Sequence, residues 1–417
     1  MQPEDFINLK YKPTSKDLVC LFKVEPNKIS IKEAAATVAL ESSIGTWTDI
    51  HEKKYVRKLG AKVFSIQGNK IKIAYPNELF EKGNAPNILS SIAGNIFGMK
   101  SVKNLRLEDI KIPPAILKSF LGPKYGISGI RKIMKIKNRP LVGTIIKPKL
   151  GLKTKDHVDI AYQAWLGGCD IVKDDENLSS QIFNKFEGRL ARTLEKQNKA
   201  EEQTGEKKAY LVNITAETKE MMKRAQLVEE LGGKYVMIDI VTAGFSALQT
   251  LREANFKLAI HAHRAMHAAF TRNSKHGISM MVLADIARLI GVDQLHIGTV
   301  VGKLQGSLKE VSEISEEIEK KVVKETSNRL AQNWEKIKPT LSVSSGGLHP
   351  GHIPFLVKHL GKDIVMQFGG GCHGHPKGTL RGAVAIRQSL DATLRKIPLK
   401  QYVKNHIELK EALEYWK

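Results

Sequence analysis

From about Gly122 onward, short apolar runs alternate with stretches of helical spacing. The runs are LVGTIIKPK (141–149), CDIVKDDE (169–176), AYLVNITA (209–216) and YVMIDIV (235–241), then KLAIHAHRA (257–265), QLHIGT (294–299), LSVSSGG (341–347) and IVMQFGGG (364–371). Each predicts a buried strand, and segments such as SMMVLADIARLIG and AVAIRQSLDATLRKI between them predict amphipathic helices. Eight strand–helix units suit a (β/α)8 barrel, although a doubly wound open sheet also uses such units. The barrel is preferred because nearly every run ends in polar residues or glycine, and barrels build their sites at the carboxyl ends of the strands. Before residue 122 the pattern is mixed: strand-like VCLFKVEP and KVFSIQGNKIKIAYP flank a helical IKEAAATVALESS. The expected α/β architecture is a smaller N-terminal α+β domain, 1–122, followed by a catalytic barrel with C-terminal helices, 123–417.

Composition narrows the partners. The 417 residues contain 42% hydrophobic and 26% charged residues, ordinary for a folded globular protein. No apolar run reaches membrane-spanning length, and MQPEDFINLKYKPTSKD has no signal-peptide core. Cys20, Cys169 and Cys372 lie far apart without CxxC spacing, which fits reduced thiols and a cytoplasmic location. The net charge of +23 could serve nucleic acid, but the lysines are scattered and aromatic residues make up only 6%. An anionic small molecule is the favoured partner, with neither nucleic acid nor membrane expected.

The strand ends in order offer Lys147 and Lys149; Lys173, Asp175 and Glu176; His263, Arg264 and His267; His296; Ser345, Gly346 and Gly347; and Gly369, Gly370 and Gly371. Lys173 and Asp175 share a side of an extended strand, and Glu176 can turn toward the same point. Two carboxylates are hard ligands suited to Mg²⁺, which an ammonium would repel. A neutral Lys173 that captured CO₂ would instead supply a third anionic oxygen. Burial and the cations Lys147 and Lys149 would favour that neutral amine, whereas the adjacent acids would oppose it. An isolated KDD is more often a structural ion pair; its company shifts the reading toward a metal site. SSGG and FGGGCHGHP suit phosphate, because glycines let backbone amides approach an anion. Arg264 and His296 could hold a second phosphate. GTVVGKLQG (298–306) has the glycine hinges of a loop that could bring Lys303 over substrate.

Together these segments, with ESSIGTWTD and SIAGNIFGMKSVKNLRLEDI, closely resemble the ribulose-1,5-bisphosphate carboxylase/oxygenase (RuBisCO) large subunit, especially its archaeal form III. The resemblance implies Mg²⁺-dependent enolisation of ribulose 1,5-bisphosphate, addition of CO₂ (or O₂), and cleavage to two 3-phosphoglycerate. It implies that Lys173 is carbamylated by activator CO₂ and binds the metal with Asp175 and Glu176, the carbamate taking the C3 proton. Lys147 would manage protons at C2 with Lys149 beside it, His263 would assist proton traffic, and Lys303 would steady CO₂. Arg264 and His296 would hold one phosphate; Ser345, Gly346, Gly347, Gln367, Gly369 and Gly370 would serve the sugar backbone and the other. Glu41, Thr46, Trp47 and Asn95 match residues donated across a dimer interface. The implied assembly is a homodimer or a ring of dimers without a small subunit, and the implied setting is a nucleotide (AMP) salvage pathway. The chain departs from the family pattern in a shortened 48–60 segment, in Gln305, and in Cys372–His373 after the glycines. A RuBisCO-like enolase or isomerase of methionine salvage is the alternative, disfavoured because Lys303, Glu41, Asn95 and His263 are all present.

Overall fold

The computed structural model describes residues 2–46, 48, 53–301 and 307–416. Two compact units emerge: Met1–Gly122 with Met266–Ile290 and Lys320–Lys338, and Pro123–Ala265 with Gly291–Glu319 and Pro339–Lys417. Strands β1 (Asp17–Pro26), β2 (Lys62–Gln67), β3 (Lys70–Pro76) and β4 (Val102–Lys111) belong to the first unit. The second contains β5 (Leu141–Ile145), β6 (Ile171–Lys173), β7 (Ala209–Asn213), β8 (Tyr235–Asp239) and β9 (Ala259–His263). The chain then adds β10 (Gly277–Ile278) to the first unit and β11 (Gln294–His296) to the second. It returns for the small pair β12 (Val322–Val323) and β13 (Gln332–Asn333) before β14 (Leu341–Ser345) and β15 (Ile364–Phe368).

In the first unit the sheet order is β10-β4-β1-β3-β2. The β2–β3 hairpin turns at Gly68, whose φ of +58° explains the QGNK sequence there. Helix Ile31–Glu41 starts with a reciprocal cap, Glu33 N–H donating to Ser30 Oγ and Ser30 N–H to Glu33 Oε2. Strand β4 carries charges at irregular spacing, and its pairing with β1 shifts register twice; that irregularity hid it from a period-two reading. Segments 266–290 and 320–338 lie between barrel strands in sequence yet pack into the first unit, through β10 beside β4 and through the β12–β13 pair.

In the second unit the order β11-β14-β15-β5-β6-β7-β8-β9 closes on itself, and every pairing is parallel. All eight runs expected as barrel strands are present. The floor of the barrel is apolar: Leu141, Ile171, Ala209, Tyr235, Ala259 and Leu341 pack with Ile130 and Met134 from helix Gly126–Met134. Asp293 fixes that plug, its carboxylate accepting from the amides of Tyr125, Gly126 and Ile260 at 2.6–3.0 Å. Moving up several strands by two residues, the same face turns polar. Ile171 gives way to Lys173, Ala259 to His261 and His263, Val343 to Ser345, and Val365 to Gln367.

Candidate active site at the barrel mouth

Lys173 ends β6 and is fully buried. Its Nζ donates to the Asp174 carbonyl at 2.7 Å, touches Met237 Sδ at 3.1 Å and lies 3.8 Å from Glu176 Oε2. Burial holds its pKa below the ordinary lysine value, against the opposing pull of Glu176, Asp239, Asp175 and Asp174. The sequence reading gave part of that effect to Lys147 and Lys149, but desolvation is the cause here. Lys147 Nζ instead pairs with Asp175 Oδ2 at 2.5 Å, and exposed Lys149 reaches Asn177 Oδ1 at 3.3 Å.

The middle acid of KDDE has a separate task. Asp174 points away from the barrel interior into a buried set: Tyr210 OH at 2.6 Å, Asn213 N at 3.0 Å, Arg189 Nε at 3.2 Å and His157 Nε2 at 3.3 Å. Burial would raise its carboxyl, but Arg189 and these donors outweigh that and hold it well below the carboxylate range. Glu176 is likewise penalised by burial yet lowered overall, chiefly by Lys173 and His263.

Strand alternation also builds a histidine chain. His261 Nδ1 meets Gln294 Oε1 at 2.7 Å, His261 Nε2 meets His296 Nε2 at 2.8 Å, and His296 Nδ1 meets Ser345 Oγ at 2.8 Å. Burial drives both imidazoles well below their usual pKa, so the chain is neutral. His263 Nδ1 sits 2.7 Å from Asp239 Oδ1. That contact with a carboxylate holds the ring in place and leaves Nε2 turned toward Glu176, 3.8 Å from its Oε2. Arg264 follows, its guanidinium lowered to about 10 by burial. A Cβ on Gly298 (φ +99°) would meet Arg264 Nη2 at 2.6 Å, so a glycine there makes room for the cation beside His296.

A cavity of about 510 Å³ opens over these groups, lined by Ile145, Lys147, Lys173, Glu176, His263 and His296. Ser345, Gly346, Gly347, Gly369, Gly370 and Gly371 complete the lining with Leu348, His349 and Trp416. A single helical turn, Gly370–His373, carries the glycines, and the longer helix Gly378–Leu394 follows the FGGGCHGHP segment. A side chain at Gly371 would run into the Leu348 carbonyl, 1.9 Å from its Cβ position, so only glycine permits this approach of the two walls. Gln367 is buried, and neither amide atom has a partner among the described residues.

Several expected residues lie apart. Lys149 does not line the cavity. Glu41, Thr46 and Asn95 belong to the first unit, where Glu41 ends a helix and Asn95 opens a 3-10 turn. Lys303, Gln305 and Trp47 lie outside the described residues. Sequence reasoning missed Asp239, His261 and Gln294, although HAH on one strand and an acid closing YVMID were visible signals. It also missed His349 and Trp416, which nothing local marks as cavity wall.

Among the described residues no cluster of three His, Cys, Asp or Glu could hold a metal ion. Asp175 and Glu176 offer two hard oxygen donors, and the buried Lys173 amine beside them, its pKa lowered by desolvation, is the group able to add a third by taking up CO₂.

A parallel barrel whose strand exits gather lysines, a carboxylate, imidazoles and a glycine cradle in one cavity is an enzyme framework for a small, polyanionic substrate. Comparison with known proteins gives the family. Residues 126–416 match the ribulose bisphosphate carboxylase large chain catalytic domain, and residues 5–116 match its N-terminal domain. The ribulose bisphosphate carboxylase of Methanocaldococcus jannaschii is 52% identical, covering 99% of this chain and 100% of the relative, and that of Methanosarcina mazei is 50% identical, covering 99% of each. Among solved structures, the dimeric archaeal Rubisco of Hyperthermus butylicus superposes with a TM-score of 0.94 at 45% identity, covering 99% of each chain. The octameric enzyme of Pyrococcus horikoshii, in complex with sulfate ion, gives 0.93 at 46% identity, covering 100% of this chain and 97% of the other. The chain belongs to the ribulose bisphosphate carboxylase large-chain family and is an enzyme of that kind.

Proposed function

We propose that the chain carboxylates ribulose 1,5-bisphosphate in a Mg²⁺-dependent reaction, after Lys173 takes up an activating CO₂ as its carbamate. The observation that carries this reading is a fully buried lysine with a depressed pKa, beside two carboxylates, in a cavity also lined by glycines. Lys173, Asp175 and Glu176 would hold the metal, which would supply polarisation of the substrate carbonyl and stabilise the charge that develops on enolisation. Two phosphates need two anion sites. Arg264 and His296 form one, and Ser345, Gly346, Gly347, Gly369 and Gly370 the other, with Gln367 supplying an amide to the sugar backbone. Lys147, paired with Asp175 at the cavity wall, would hold a proton at C2. His263 Nε2 accepts and returns protons, its ring fixed by Asp239. Lys149, Lys303 and the set Glu41, Thr46, Trp47 and Asn95, from a second copy of the chain, complete the site. The smallest active unit is then a homodimer, in keeping with the dimeric and octameric relatives, and O₂ competes with CO₂ at the same centre.

The physiological setting we infer is cytoplasmic nucleotide (AMP) salvage, and the division of labour is a barrel catalytic domain, 123–417, served by an N-terminal domain, 1–122. No described helix is long and apolar enough to cross a membrane. The test is incubation of the assembled protein with ribulose 1,5-bisphosphate, Mg²⁺ and labelled bicarbonate. Acid-stable label in 3-phosphoglycerate is expected; enolisation of substrate without label would favour the isomerase reading.

A further inference from the structure

The proposed chemistry assigns His373 nothing. It is mostly buried and does not line the cavity. Its hydrogen bonds determine its tautomer. Thr144 Oγ1 donates its single proton to the Phe368 carbonyl at 2.6 Å. The contact between Thr144 Oγ1 and His373 Nε2 at 2.8 Å therefore requires the imidazole to donate. The same N–H is shared with the Ile145 carbonyl at 3.0 Å. Nδ1 is left as an acceptor for the Thr379 hydroxyl at 3.0 Å. Burial agrees with a neutral ring, bringing its pKa down to about 4.

These partners lie at three ends of structure that converge behind the site. Ile145 closes β5, two residues before Lys147; Phe368 closes β15, one before Gly369; and Thr379 starts helix Gly378–Leu394. The two strand exits touch on the cavity side as well, since a Cβ on Gly369 would lie 3.4 Å from Lys147 Cε. The lysine stem thus rests on the glycine wall, and the spacing of those two exits sets where its ammonium stands. One imidazole, outside the cavity, spans both exits.

We propose that His373 is a positioning residue for carboxylation: through Thr144, Ile145 and Thr379 it clamps the exits of β5 and β15 and so places Lys147 against the glycine cradle. The proposal rests on Lys147 being a catalytic group. A leucine would fill much the same space but donate no hydrogen bond, whereas a glutamine could again present an N–H toward Thr144 and Ile145.

The experiment compares H373L, H373Q, T144V and K147M in the assembled enzyme, with circular dichroism and assembly state as checks on folding. A displacement of about an ångström costs up to roughly a hundredfold in rate. Folded H373L is expected to lose about tenfold or more in kcat with a smaller change in KM for the bisphosphate, and H373Q to recover most of that loss. Wild-type kcat in folded H373L, or H373Q no better than H373L, overturns the proposal. Should H373L fail to fold, T144V decides: it removes the shared hydroxyl while keeping the histidine, and an unchanged kcat is again fatal. K147M separates the two layers. Loss of turnover in K147M with normal H373L sinks the clamp alone, whereas turnover retained in K147M removes the ground it stands on.

Discussion

Replacing Lys173 by methionine separates the lysine's two identities, structural cation and reactive amine. At the 3.8 Å separation of Nζ and Glu176 Oε2 and an effective dielectric of about 20, their attraction is about 4 kcal/mol. Against it stands the penalty for burying an ammonium completely, several kcal/mol after relaxation. The two nearly cancel, so K173M should unfold within about 2 kcal/mol of wild type in CO₂-free buffer, as read by urea melts. The pH dependence has a definite sign. Burial lowers the folded-state pKa of Lys173 below its unfolded value of about 10.4. Between those two values the unfolded chain binds more protons, so wild type gains stability relative to K173M as pH rises through that window. Activity behaves differently: fixation of labelled bicarbonate should fall by at least about a hundredfold in K173M, and in K173R, which keeps the charge but cannot form the carbamate. Isotope-labelled carbamate should be found by NMR in wild type and in neither variant. Either variant fixing carbon at the wild-type rate refutes the mechanism, and a K173M penalty well above 5 kcal/mol would mean that the amine is chiefly a structural cation.

Asp174 sits next door with the opposite role. D174N should leave the Arg189 guanidinium buried without its counter-charge and cost about 3–5 kcal/mol in a denaturant melt, with little change in the KM of whatever folds. Because the Asp174 pKa is depressed on folding, its contribution is present above its unfolded value near 4 and is lost as pH falls through the folded one. The gap between wild type and D174N should therefore narrow in acid. D175N should abolish fixation and weaken Mg²⁺ retention by the activated enzyme, measured by equilibrium dialysis; tight metal binding without that carboxylate would exclude it as a ligand. G298A places a methyl 2.6 Å from Arg264 Nη2 at a φ of +99°. Displacement of the cation should raise KM for the bisphosphate about tenfold, the equivalent of about 1.4 kcal/mol, and an unchanged KM would remove Arg264 from the phosphate site.

The relation of Lys173 to its neighbours illustrates how far one-dimensional reading reaches. That Lys173 and Asp175 project to one side is the expectation of a strand's two-residue period, and Asp174 is found turned into a buried set with Tyr210 and Arg189. The same period exposes His261, two residues before His263 on one face of β9, a signal the sequence reading left unused. The depression of the Lys173 pKa was expected partly from Lys147 and Lys149, because sequence shows which charges exist and not where they point. In space Lys147 is spent on Asp175, and desolvation does the work.

The sequence by itself determined the eight barrel strands, the mixed N-terminal domain, the rim residues at the strand exits and the family, because each depends on side-chain period or on motifs contiguous in the chain. Tertiary structure alone decided which of those residues share a cavity, that segments 266–290 and 320–338 join the first unit, that Trp416 and His349 form part of the wall, and that His373 ties two strands 223 residues apart in start position. The physical reason is closure. Hydrogen bonding of β15 to β5 and burial of the ring's interior bring distant residues together, and burial then sets the protonation states on which the chemistry depends.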